Sequence, residues 1–65
     1  MAHRDDRLVL RVDEAAEALG LSRDKALRLI AAGHLPSLVI GDELRVPLRG
    51  LRDWIARQVA ERSAR

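Results

Sequence analysis

Apolar residues in the first half of the chain recur every three or four positions, which is helical spacing. In "VDEAAEALG" the residues Val12, Ala15, Ala16 and Leu19 fall on one face, with Asp13, Glu14 and Glu17 opposite. Asp13 is the candidate N-cap, and Gly20 is a natural stop. Ser22 then caps a second helix running from Arg23 to Ala32, which Gly33 ends. On that helix Ala26, Leu29 and Ile30 cluster toward a core, and Asp24, Arg28 and Ala31 point away from it. Lys25 and Ala32 lie on one flank, Arg23 and Leu27 on the other. Only Gly20, Leu21 and Ser22 separate the two helices, and so short a turn predicts a helix-turn-helix.

The period then changes to two. "LVLRV" (8–12) alternates Leu8, Leu10 and Val12 and reads as a short strand or extended lead-in. "LVI" and "LRV" flank a turn containing Gly41, the pattern of a β-hairpin. Alternation places Leu38 with Ile40 and Leu44 with Val46, and assigns Val39 and Arg45 to the other face. Pro47 ends the second strand and suits a helix start. In the last helix Leu48, Leu51, Trp54, Ile55 and Val59 form an apolar stripe, Trp54 being the core anchor. Arg49, Asp53 and Arg57 lie outside it. Residues 1–7 carry no apolar pattern and are expected to be a flexible arm, residues 8–62 one domain, and 63–65 a flexible C-terminus. The predicted fold is mainly α with a small β-hairpin: a winged helix-turn-helix with a two-stranded wing.

Composition narrows the chemistry. A chain of 65 residues holds one modest core, since a domain near that size buries only about 60% of its unfolded surface. There is no cysteine, and His3 and His34 stand far apart, so neither a disulfide nor a metal site is expected. His34 reads as a polar loop residue. Ser22 has no neighbouring histidine base, the carboxylates fall in helix caps and on polar faces, and no glycine-rich phosphate loop occurs. An enzyme is therefore not expected, and no cofactor is implied. No segment approaches the ~18 apolar residues of a membrane span and no signal peptide opens the chain, so a cytoplasmic location is expected. All but one of the twelve basic residues are arginine, whose planar fork suits phosphate and guanine edges. Charge is uneven along the chain: acidic over 13–20, basic over 21–37 and basic again over 48–65.

Several short motifs occur in order: Glu14-Ala15-Ala16, Leu19-Gly20-Leu21-Ser22-Arg23, Arg28-Leu29-Ile30, Gly33-His34-Leu35-Pro36, Gly41, Arg45-Val46-Pro47, and Leu51 with Trp54. Over residues 12–55, two thirds of the chain, the sequence resembles the small DNA-binding domains of the excisionase family, relatives of the MerR-type winged helices. The resemblance implies that the second helix enters the major groove and the wing meets the adjacent minor groove or backbone. Arg23, Lys25 and Arg28 would then approach DNA, with Arg45 reaching from the wing. Ser22, Asp24 and Gly41 complete the candidate DNA-binding set. The physics agrees: a helix N-terminus offers free N–H groups to phosphate, and arginine can grip guanine O6 and N7 as a pair.

Three departures from the family pattern stand out. Asp42 and Glu43 occupy a wing tip that relatives make basic, Leu27 replaces a common tyrosine, and the third helix opens with Arg49 where relatives show acids. The expected function is a sequence-specific DNA-binding protein, an excisionase (a recombination directionality factor) that bends attachment-site DNA to help an integrase excise. The alternatives are a small MerR-like transcription regulator and, more remotely, a protein-interaction module. Expected partners are double-stranded DNA, an integrase, and further copies of the chain in a head-to-tail row on DNA.

Overall fold

The computed structural model describes residues 7–63. In chain order these form β1 (Val9–Arg11), α1 (Val12–Leu19), α2 (Arg23–Ala31), β2 (Leu38–Ile40), β3 (Glu43–Pro47) and α3 (Leu48–Ser63). Three helices with a small antiparallel sheet make the expected winged helix-turn-helix. Of the arm expected at 1–7 only Arg7 lies within the described residues, and its guanidinium pairs with Glu14. Of the tail expected at 63–65 only Ser63 does, as the last residue of α3.

The helix-turn-helix is closed by backbone hydrogen bonds. Gly20 takes a left-handed φ of 73°, and the N–H groups of Gly20 and Leu21 donate to the carbonyls of Glu17 and Ala16 at 3.1 and 2.8 Å. That is a Schellman stop, which needs a residue without a Cβ penalty. Ser22 then caps α2, its hydroxyl accepting the Lys25 N–H at 3.2 Å. At the far end Ala32 is the cap, and Gly33 and His34 repeat the same pair of bonds to Ile30 and Leu29. One cap differs from expectation. The N-cap of α1 is Arg11, not Asp13, because β1 runs straight into α1 and buried Val12 is already helical. Glu14 reaches back to accept the Arg11 backbone N–H at 2.9 Å, the acidic half of a capping box.

The sheet is larger than the expected hairpin. Its order is β1-β3-β2, so the lead-in strand pairs with the return strand of the wing. The C-terminal half of β3 pairs with β1 (Leu10 opposite Val46, Arg11 opposite Arg45). Its N-terminal half pairs with β2 (Leu38 opposite Arg45, Val39 opposite Leu44, Ile40 opposite Glu43). Two partners explain why β3 is five residues long instead of three. Beyond Pro47, which has no N–H to give, Leu48 N–H continues the pairing by donating to the Leu8 carbonyl at 2.9 Å.

The register corrects the face assignment. Gly41 and Asp42 alone form the turn, with positive φ at Gly41 only, as in a type II′ hairpin. Opposite residues share a face, so Val39 lies with Leu44 and Val46, and Arg45 lies with Leu38 and Ile40. A turn of three residues would have reversed this, since a one-residue slip flips every side chain.

The core has two connected parts. Ala15, Leu35, Val46 and Leu51 are buried together, with Leu10, Leu19, Leu29, Ile30 and Trp54 packed around them. Val12, Ala16 and Ala26 form the other, covered by Leu27, Ile30 and Leu44. Ile30 touches both. Leu27 is thus half-buried packing, while Trp54 is only partly buried. The apolar stripe of α3 is used only over its first turns, because Ile55 and Val59 are exposed. At the start of α3, a Cβ on Gly50 would stand 3.1 Å from Pro47 and 3.2 Å from Pro36, so the helix lies close against both rings.

Ala26 has no exposed surface. Ala26→Leu should therefore force α2 away from α1 and cost about 1–3 kcal/mol. Thermal unfolding measures it; an unchanged midpoint would mean that the two helices do not approach as closely as described.

Candidate nucleic-acid interface

The second helix presents its polar face because its other face is committed to the core. With Ala26, Leu27, Leu29 and Ile30 packed inward, helical geometry leaves Arg23, Asp24, Lys25, Arg28 and Ala31 exposed. Ser22 is occupied as the cap, and its position puts the open N–H end of α2 on the same side as Arg23. Among the described residues no ion pair joins Asp24 to Arg28, although their spacing would allow one. Ala31 and Ala32 leave the end of this face free of bulk.

The wing supplies the remaining candidates. Gly41 forms its tip at φ 66°, beside exposed Asp42 and Glu43. Arg45 is half-buried; its guanidinium pairs with the Glu43 carboxylate and donates to the Leu44 carbonyl. Arg45 and Arg23 border the same cleft, a space of about 270 Å³ between the start of α1, the start of α2 and the wing. Lys25, Arg28 and Gly41 lie outside it. The candidate residues therefore divide into a helix face and a helix–wing junction.

That junction contains Arg11, which stands outside the family motifs and the second helix. It borders the cleft together with Asp13 and Glu43 and lies directly opposite Arg45 in the sheet. Its side chain is 62% exposed, 3.7 Å from both Asp13 and Glu14. The available signal was the alternation in "LVLRV", which sets Arg11 apart from Leu8, Leu10 and Val12; its strand partner was not legible. A second, larger cleft of about 400 Å³ is bordered by Arg7, Leu8 and the first turns of α3, including Arg49 and Arg52. The basic start of α3 is thus a surface of its own, next to the lead-in strand. Among the described residues no group of three or more His, Cys, Asp or Glu side chains is placed to hold a metal. Among them too, no helix is long and apolar enough to cross a membrane.

Comparison with known proteins gives two matches. Residues 9–59 match the family described as "Helix-turn-helix domain". The chain is also 42% identical over 59 residues to a protein of Saccharopolyspora erythraea called "Probable excisionase". The alignment covers 91% of this chain and 60% of that relative, so the chain spans about three fifths of the relative's length. No solved structure matches significantly.

Glu14, which braces the start of α1, responds to pH. The Arg11 backbone N–H, and after it the Arg7 guanidinium, hold the Glu14 carboxyl below its ordinary value of 4.5. A depressed folded-state value stabilises the fold above the unfolded value and loses that contribution as pH falls through the folded one. Glu14→Gln should therefore flatten the loss of stability below about pH 4.5 and lower stability at neutral pH. Melting curves of parent and variant across acid pH check this, and parallel acid profiles would contradict it.

Proposed function

The chain belongs to the helix-turn-helix domain family, which matches residues 9–59, and from that membership we propose that it is a non-enzymatic, sequence-specific DNA-binding protein. One observation carries the reading: α2 buries one face against α1 and leaves Arg23, Lys25 and Arg28 on the other. A helix so mounted inserts into a major groove without exposing its core. Its arginines reach phosphates or guanine edges, and its alanine-lined end permits close approach. Arg45, and the wing behind it, contacts the flanking backbone. Ser22 and Asp24 shape the helix N-terminus, and Gly41 shapes the turn that presents the wing.

Within that class we assign the chain the role of an excisionase, a recombination directionality factor that binds and bends attachment-site DNA beside an integrase. The name of the Saccharopolyspora relative supports this choice over a transcription regulator. One module of this kind buries only about 600–1,000 Å² on DNA, which favours several copies acting together. Asp42 at the wing tip and Arg49 and Arg57 on α3 are exposed and of opposite charge. Contacts between unlike surfaces are head-to-tail, and they propagate in a row instead of closing into a two-fold dimer.

Three outcomes are expected. Arg28→Ala should abolish site-specific binding in a mobility-shift assay without lowering the melting temperature, because the side chain is exposed. For the parent, phosphate contacts from Arg23, Lys25, Arg28 and Arg45 imply a slope of log K against log salt of about −4. Retained specific binding by the variant, or a parent slope near zero, would remove α2 as the recognition helix. Separately, the free protein should sediment as a monomer and load cooperatively on direct repeats, since exposed ion pairs are worth only about 0.2–1 kcal/mol each. A stable dimer, or a preference for inverted repeats, contradicts the row.

A further inference from the structure

The sheet register places two guanidinium groups together. Arg11 on β1 is directly opposite Arg45 on β3, so both side chains leave the same face with Cβ atoms about 4.5–5.5 Å apart. Like charges in that position repel. Arg23, the first residue of α2, borders the same cleft. Three elements thus contribute one arginine each to a space of about 270 Å³.

The carboxylates nearby satisfy these arginines unequally. Glu43 holds Arg45 closely. Asp13 and Glu14 stand 3.7 Å from Arg11, too far for the charge-assisted hydrogen bonds that carboxylates make with guanidinium. Arg23 makes no ion pair among the described residues. An arginine carries five donors in a fixed fork and no acceptor, so this cleft holds a surplus of donors converging from three sides. The ligand that meets such a set is a tetrahedral anion with two free oxygens on one atom.

We propose that Arg11, Arg23 and Arg45 form a binding site for one backbone phosphodiester of duplex DNA, and that Glu43 is the counter-ion which the phosphate displaces from Arg45. This rests on the DNA-binding reading above and adds to it a residue outside the helix-turn-helix. Arg11 ties the sheet to the DNA backbone and so sets how α2 enters the groove. The acidic wing thereby acquires a definite purpose, because Glu43 neutralises Arg45 until phosphate arrives and weakens non-specific binding meanwhile. The exchange is of ion partners only, and no covalent bond changes.

The probe is a short random-sequence duplex at low ionic strength, titrated with the parent, Arg11→Ala and Glu43→Gln while salt is varied. Both side chains are largely exposed, 62% and 61%, so melting curves should match the parent's. Arg11→Ala should weaken binding by about tenfold, as for one lost charge-assisted contact, and make the salt slope shallower. Glu43→Gln should act in the opposite direction and tighten binding. A scan of single methylphosphonate linkages through a bound duplex should find one linkage that weakens the parent more than it weakens Arg11→Ala. Parent-like affinity and slope in Arg11→Ala would overturn this site while leaving the DNA-binding reading intact. So would a loss confined to one base sequence, or a Glu43→Gln variant that binds no tighter. Failure of the parent to bind any duplex would instead overturn the DNA-binding reading, and the site with it.

Discussion

The domain depends on two helices approaching at alanine. Ala16 and Ala26 are almost wholly buried in one cluster, and their small side chains let α1 and α2 pack with little between them. The three-residue turn then has no freedom to place α2 elsewhere. Its start is held by the Gly20 stop and the Ser22 cap, and its inner face by Ala26, Leu29 and Ile30. A core with so few large buried residues would be fragile if it relied on area alone. Here much of the definition comes from backbone hydrogen bonds at helix ends, which position the elements without requiring bulk. The outward face of α2 follows from that placement.

The second organiser is β3. It is the middle strand, and Arg45 is the residue at which its two pairings meet, opposite Arg11 on one side and Leu38 on the other. One residue later Val46 is fully buried, and after Pro47 the chain enters α3 with Gly50 pressed against two proline rings. The strand therefore anchors the wing to the core and aims Arg45 at the cleft beside α2. Because β1 joins the same sheet and leads directly into α1, the wing is braced by the helix-turn-helix instead of standing as a free hairpin.

Electrostatics works by local neutralisation. Carboxylates alternate with arginines around the helix–wing junction: Asp13 and Glu14 near Arg11, Glu43 on Arg45, and Arg7 returning to Glu14. Each pair has at least one exposed partner, and ion pairs so open to solvent contribute little to stability. Their effect is on availability, since an arginine already paired must change partners before it binds an anion. On the outer face of α2 no such pairing occurs among the described residues, so Lys25 and Arg28 face solvent without competition. This difference separates a helix face whose cations have no ion-pair partner among the described residues from a junction where Arg11 and Arg45 stand beside carboxylates.

The helices, their glycine stops, the Ser22 cap, the presence of a hairpin turn at Gly41 and the outward face of α2 are legible in the sequence. All of these depend on residues within four positions of one another, where spacing and backbone preference act directly. The sequence also carried the family resemblance, through motifs whose order survives without any knowledge of contacts. Tertiary structure alone decided the partner of β1, the face of Arg45, the true start of α1 and how little of the α3 stripe is buried. The β1–β3 pairing joins residues more than thirty positions apart, and the β2–β3 register rests on whether a turn has two residues or three, which alternation cannot distinguish. Arg11 became visible only then: as one polar residue in a short alternating run it looked like any solvent-facing side chain, until the sheet placed it opposite Arg45.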